Sequence, residues 1–459
     1  MRFIAALALL VFVGVPSISK AENDAITLIA GSDEARLVTL VPMKNGLSSV
    51  TLVWPIKEQK PQNIDAIRAG LFSVISGGTA TRTAYQTSNY MRENGIRYSV
   101  TSLQDNLLLT ITAPNEVFSE TLVFLEKHLV EATYSDSWYA RELYQRRKPI
   151  ASITRRPSDV MRRVANYLDY GPSVGGSQNF GPRFRFGKPR QAILRSEDRE
   201  DAVFMERFLR SLPSDTSGRS LVGHERPRGP NDDGSFSLPK GLIHYADKNS
   251  SETLILLIAT RTFENENQQI GANLLMDYIG SNQGSEMFRI IRQDLRASYD
   301  PQSKFEVWGS RRAGLMMSAT VEADNWPDIY QRMRTIYENV RQGNVDPKGL
   351  DLQFRWLTRY YQNSFANDAL WMVEHYLDAY PDGVVGEIRI PLFDAFRIVN
   401  LQSVIAEADT LLPPFEDFLL VIIGGGRDPS ADLRPGDYCS LEKFEPIDQC
   451  LVRLSGAAR

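Results

Sequence analysis

Leu37-Val38-Thr39-Leu40-Val41, then Asn45-Gly46, then Val50-Thr51-Leu52-Val53-Trp54 are the stretches whose reading decides the fold. Two runs rich in Val, Leu and Thr flank an Asn-Gly pair. Those two residues accept positive φ and close tight turns, so paired strands are expected. Moving toward the C-terminus, a helix is expected over residues 65–76, with Ile67, Leu71, Phe72, Val74 and Ile75 apolar and Gly77-Gly78 ending it. Thr83 is placed to cap a second helix that Asn94-Gly95 stops. Strands follow at 97–102 and 107–112, then amphipathic helices at 116–131 and 137–150.

The same order recurs from Leu242 onward. Strand-like runs at 242–245 and 254–259 precede a helix at 266–279. Gly280-Ser281-Asn282-Gln283-Gly284 interrupts, and residues 286–295 read as helix. Strands at 305–308 and 315–320 and helices at 326–341 and 347–362 complete the match. One plan written twice implies an internal duplication. The polar, Pro- and Gly-rich stretch 213–239 separates the copies and reads as a linker. The expected fold class is α+β: two similar domains, each a largely antiparallel sheet with helices packed on one face, together forming a clamshell. The boundaries are 22–215 for the first domain, 216–239 for the linker and 240–459 for the second.

At the N-terminus, Arg2, an apolar run from Phe3 to Val15, Pro16 and Ser19-Lys20-Ala21 form the pattern of a removable signal peptide over residues 1–21. The run is shorter than the ~20 residues a membrane span needs, and no later stretch is apolar for long enough. Export to the periplasm is the expectation. Removal of Arg2 and Lys20 would make the formal charge of −4 two units more negative. That mild acidity argues against a nucleic-acid partner. A basic patch (Arg146-Arg147-Lys148, Arg155-Arg156, Arg162-Arg163) reads as the solvated face of successive helices. The chain has two cysteines, Cys439 and Cys450. In an exported chain they are expected to form a disulfide pinning the C-terminal tail.

The duplicated α+β plan resembles the pitrilysin, or insulinase-like, metallopeptidase family over about residues 37–426. The resemblance is carried by residues 37–54 with their Asn-Gly turn, by Gly78-Thr79, by Gly284-Ser285-Glu286-Met287-Phe288 through Tyr299, and by residues 401–423. The family's signature is H-x-x-E-H on the first long helix. There two histidines share one helical face to hold zinc and the Glu serves as general base. Counted back from Gly78-Thr79, those positions are Ala69-Gly70-Leu71-Phe72-Ser73, with neither His nor Glu among them. The four histidines, His128, His224, His244 and His375, are scattered. No metal or other cofactor is therefore expected in this chain, and it is not expected to act as a peptidase alone.

Zinc-free partner subunits of the family carry an Arg and a Tyr seven residues apart in the second half. The resemblance places that pair at Arg292 and Tyr299. It implies a non-catalytic subunit of a two-chain zinc peptidase, with a zinc-bearing homologue as partner and a peptide as substrate. The alternative it leaves open is an inactive binding or scaffolding protein of the same fold. This chain departs from the family at Arg296 and Ala297, where Gly and Leu are usual, and a bulky Arg at a turn that favours Gly is expected to alter the strand entry and the pose of Tyr299. Gly424-Gly425-Gly426 reads as a strand end rather than a phosphate loop, and Trp356, Tyr360 and Tyr361 read as packing residues.

Overall fold

The structure, a computed structural model, describes residues 27–29, 35–55, 61–103, 106–133, 136–146, 157–170, 188–212, 238–247, 250–308, 312–379, 391–425, 437–441 and 447–455. The expected signal peptide, residues 216–237 of the expected linker, and Arg147, Lys148, Arg155 and Arg156 of the basic patch lie outside them.

The first half contains β1 (Thr27–Ile29), β2 (Arg36–Thr39), β3 (Leu47–Pro55), α1 (Pro61–Ser76), β4 (Gly78–Thr79), α2 (Ala84–Glu93), β5 (Arg97–Leu103), β6 (Asn106–Pro114) and α3 (Asn115–Glu131). It continues with β7 (Ala132–Thr133), α4 (Asp136–Arg146), α5 (Pro157–Tyr170), β8 (Gln191–Arg195) and α6 (Arg199–Ser211). The second half runs β9 (Gly241–Ala246), β10 (Glu252–Thr262), α7 (Glu266–Gly280), a π-helical segment Phe288–Asp294, β11 (Gln302–Val307), β12 (Arg312–Glu322), α8 (Trp326–Arg341) and α9 (Pro347–Asn367). It ends with α10 (Ala369–Ala379), α11 (Pro391–Ile398), α12 (Leu401–Ala406), α13 (Ala408–Leu411), β13 (Leu419–Gly424), β14 (Tyr438–Leu441) and α14 (Ile447–Leu454).

Two six-stranded sheets result, ordered β1-β2-β8-β3-β6-β5 and β14-β9-β13-β10-β12-β11. Position by position they match. β2 lies parallel to β8 as β9 does to β13, and the β8–β3–β6–β5 and β13–β10–β12–β11 pairings are all antiparallel. The outermost strand differs: β1 precedes β2 and runs antiparallel to it, whereas β14 comes from the chain end and runs parallel to β9. The largely antiparallel α+β duplication expected from sequence is what the chain forms.

Side chains alternate between the two faces of each sheet, as a period of two requires. In the first sheet Leu37, Val50, Leu52, Leu107, Leu109 and Ile111 enter a core with α1, α3 and α6. The intervening Val38, Val53, Leu108 and Ile193 face the other way. That second face is covered too, by Trp371, Met372, Val373, Tyr376 and Leu377 of α10, a helix from the other half. The reciprocal contact exists as well. Val160, Met161, Val164, Tyr167 and Leu168 of α5, from the first half, pack with α14 on Ile243, Leu256, Ile258 and Val421 of the second sheet. Beyond the helices expected on one face of each sheet, each half therefore lends a helix to the opposite face of the other sheet.

Arg195 at the end of β8 fastens this arrangement. Its side chain is 1% exposed, and its guanidinium donates to Val41 O (3.0 Å) in its own half and to Phe365 O (2.8 Å) and Asp368 O (3.0 Å) in the other. Burial lowers its pKa to about 10, with the carboxylate of Asp368 opposing. The Cys439–Cys450 disulfide joins β14 to α14 with a Cα–Cα distance of 5.6 Å. No helix among the described residues is long and apolar enough to cross a membrane.

Candidate functional site

Helix α1 holds the positions that the resemblance assigns to the zinc signature. Ala69 and Leu71 are fully buried in the first core, and the Ser73 hydroxyl donates to Ala69 O at 2.7 Å within the helix. Phe72 leans on Tyr98 with ring centroids 5.0 Å apart. These residues supply packing surface and no metal-ligating atom facing outward, so they do not fit zinc. Among the described residues no three His, Cys, Asp or Glu side chains come together as a metal set. His128 sits on α3, its Nδ1–H donating to Phe124 O at 2.9 Å because a carbonyl only accepts. His244 lies on β9 near the Tyr438 hydroxyl (3.3 Å), and the His375 Nδ1–H donates to Trp371 O (2.9 Å). His224 lies outside the described residues.

Arg292 and Tyr299 are built differently. The segment read as an ordinary helix over 286–295 winds as a π-helix from Phe288 to Asp294. Such turns are rare and are found often at functional sites. Met287 and Ile291 anchor it, both fully buried, while Arg292 on its outer side is exposed. The Arg292 guanidinium lies over the Phe288 ring, 4.7 Å from its centroid, and makes no ion pair among the described residues. That leaves its N–H fork available to an acceptor outside the segment.

At the end of the π-helix the Ala297 N–H reaches back to Ile291 O (3.0 Å), and Arg296 between them adopts φ 54°. A left-handed residue closing a helix in this way is ordinarily Gly. Arg296 is the only non-Gly residue with positive φ among the described residues. The departure noted in the sequence is thus met by strain at one residue, and the turn geometry that Gly would favour is retained.

Tyr299 follows on a backbone fixed from both sides. The Asp300 carboxylate accepts from Thr320 N–H (3.0 Å), the Thr320 hydroxyl (3.0 Å) and the buried Ser298 hydroxyl (3.1 Å), tying the segment to β12. Close packing of α7 on β11 supports it from beneath. A Cβ on Gly280 would stand 2.5 Å from Ser303 N, and the Ser303 hydroxyl donates to Met276 O. Tyr299 itself is 88% exposed, the most exposed of the large hydrophobic residues among those described. Arg292 and Tyr299 therefore lie on either side of one strained turn, both open to solvent. Sequence reasoning missed Asp300 and Ser298; the S-x-D spacing of Ser298 and Asp300, which suits a side-chain-closed turn, is the signal that could have found them.

The aromatic run on α9 divides. Tyr361 is a packing residue, its hydroxyl accepting from Asn273 Nδ2 (2.8 Å) and its ring 4.8 Å from Phe396. Trp356 and Tyr360 instead stack on each other at 5.8 Å and protrude, 45% and 48% exposed.

No protein-family model and no curated protein sequence matches this chain. Solved structures do resemble it. A peptidase M16 inactive domain from Pseudomonas fluorescens superimposes with a TM-score of 0.64 at 15% identity, covering 88% of this chain and 100% of that one. The periplasmic protease PqqL from Escherichia coli gives 0.65 at 12% identity, covering 88% of this chain and 46% of PqqL. The ferredoxin protease FusC, solved with Arabidopsis ferredoxin, gives 0.62 at 15% identity, with 89% and 45% covered. The chain spans less than half the length of the last two. At such identities the likeness is one of fold, and that fold is the two-domain architecture of M16, pitrilysin-like peptidase structures.

Proposed function

We propose that this chain is a non-catalytic subunit of a periplasmic two-chain zinc peptidase whose other chain carries the metal. The observation that carries the reading is the open pair, Arg292 and Tyr299, on a backbone held rigid by Asp300 and Ile291, while the α1 face is filled with packing residues. The likeness to a structure described as an inactive M16 domain supports it. So does length: PqqL and FusC are each about two such units long, and a second chain would make up the same total.

Zinc on the partner would supply the activation of water. This chain's share is hydrogen-bond donation. The exposed guanidinium of Arg292 and the exposed phenol of Tyr299 donate to carbonyl oxygens of a bound peptide, fixing its register and stabilising negative charge as it grows. Loss of one such donor costs about 3 kcal/mol of transition-state stabilisation, roughly a hundredfold in rate. The test mixes this chain with an H-x-x-E-H-bearing homologue from the same periplasm and measures peptide hydrolysis. Arg292→Ala and Tyr299→Phe should each lower kcat/KM about a hundredfold, while each variant melts as the parent does.

A scaffolding role on the same fold is favoured by one observation, the protruding Trp356–Tyr360 stack, since Trp, Tyr and Arg dominate binding hot spots. If both site variants leave joint hydrolysis untouched while Trp356→Ala abolishes co-purification of a partner, the scaffold reading replaces the peptidase one.

A further inference from the structure

A hollow of about 280 Å³ lies in the first half between the β4 turn, α2 and α3, and no residue of the Arg292 segment lines it. One face of α3 lines it with Glu120, Val123, Phe124, Lys127 and His128, residues spaced to share that face. Opposite stands Arg82. Its guanidinium is held by rings rather than carboxylates, 4.2 Å from the Tyr90 centroid and 5.9 Å from that of Phe124. A guanidinium fixed in this way keeps its planar N–H fork for another partner. The Arg82 backbone, paired with Thr79 in both directions, sets where the side chain starts.

The charges in this hollow do not cancel each other. Arg82, Lys127 and Glu120 make no ion pair among the described residues. Glu120 and Lys127 are seven residues apart on α3, about 10 Å along the axis. Between them Val123 and the buried Phe124 present an apolar wall. The floor is neutral. The His128 ring lies tilted against Phe124, centroids 3.9 Å apart, with Thr87 3.4 Å from its Nε2, and burial lowers its pKa. A second hollow of about 320 Å³ shares Thr81, Arg82 and Tyr90 and is lined further by Gln86, Asn89 and the carboxylate of Glu93.

The geometry points to a binding site for a terminal α-carboxylate that adjoins an apolar side chain. The Arg82 fork takes the carboxylate with Lys127 in support, Phe124 and Val123 take the side chain, and the outer hollow admits whatever precedes it. Two sources share this chemistry, the C-terminal residue of a peptide and a free amino acid, whose ammonium Glu120 would meet. The site needs neither a partner chain nor bond cleavage, so its failure leaves the proposed subunit role as it stands.

Calorimetric titration of the whole chain separates the possibilities, with N-acetyl-Ala-Ala-Phe, its C-terminal amide and free phenylalanine as probes. The peptide acid should bind and the amide should bind at least about tenfold more weakly, because a charge-assisted bidentate contact is lost. Arg82→Gln should reproduce that loss at unchanged Tm, and Arg82→Lys should restore part of it. Should Arg82→Gln lower the Tm, the exposed Lys127→Ala carries the same reading with about a threefold loss. Free phenylalanine binding as tightly as the peptide acid, and weakened by Glu120→Gln, assigns the site to amino acids; weaker binding assigns it to peptide C-termini. Equal binding of acid and amide, or no heat from either up to about 10 mM, overturns the proposal.

Discussion

Helices α1 and α7 occupy the same place in the two halves, each following the long central strand of its sheet, yet their interiors differ in kind. On α1 the buried face is Ile67, Ala69, Leu71, Val74 and Ile75, with Ser73 satisfied inside the helix. On α7, Gln269, Asn273 and Asp277 are buried at four-residue intervals among Ile270, Leu274 and Ile279. Burial pushes the Asp277 carboxyl up to about 7, with Ser281 pulling the other way, and its Oδ2 has no hydrogen-bond partner. Glu374 on α10 is likewise raised to about 7 by burial, with Asp368 and Glu306 adding to the shift. The α1 face is apolar packing, while its counterpart, which supports the Arg292 segment through Gly280, carries a polar stripe. The repeated scaffold thus keeps its backbone topology while the chemistry of equivalent faces differs, because packing constrains volume more tightly than polarity.

The sharpest way to break this picture is at the contact between the halves. Arg195→Met removes donors from three carbonyls and should destabilise the chain by about 3 kcal/mol or more, read from urea unfolding. An unchanged midpoint would mean the halves are held by the exchanged helices α5 and α10 without it.

The α7 side can be tested through pH. Asp277 and Glu374 bind protons more tightly folded than unfolded. Their contribution to stability is therefore complete below about pH 4 and is lost as pH rises toward 7. Between pH 5 and 8 the parent should lose about 2–3 kcal/mol more than Asp277→Asn, which carries no titrating group at that site. Parallel pH profiles for the two proteins would remove the contrast between α7 and α1.

A smaller effect of opposite sign is expected where the π-helix ends. Arg296→Gly relieves a left-handed residue and should raise stability by about 1 kcal/mol. A loss instead would show that the arginine side chain makes a contact worth more than the strain. The smallest effect belongs to the first half. Thr83 caps α2 in a reciprocal box with Gln86, the Gln86 N–H reaching the Thr83 hydroxyl at 3.2 Å and the Thr83 N–H reaching Gln86 Oε1 at 2.9 Å. Thr83→Ala should cost about 0.5–1 kcal/mol in the thermal midpoint analysis.

Much of the fold was legible because it is local. The Thr83 cap, the apolar spacing of α1 and α3 and the repeat of the whole order follow from residues within a few positions of each other. The Asn45-Gly46 pair misleads: Gly46 does take φ 74°, but β8 inserts between β2 and β3, so the two runs expected to pair with each other are joined only through a strand from far along the chain. Strand β8 was not foreseen, since Gln191–Arg195 is a short run without alternation, buried throughout at the middle of its sheet. Nor were α5 and α10 seen as covers for the opposite sheets. Their signal was present in residues 254–259, an unbroken apolar run, which means burial on both faces rather than one.

By itself the sequence determined that two like α+β halves would form, that positions 69–73 hold no histidine or glutamate, and that Arg296 stands where the related pattern has Gly. Residue identity and short-range periodicity are enough for these. Only the tertiary structure decided which half covers which sheet, that Arg195 bridges them, that Tyr299 stands in solvent on a fixed backbone, and that Arg82 and α3 enclose a charged hollow. Each of these depends on contacts between residues far apart in the chain, and no local pattern encodes which distant partner will be met.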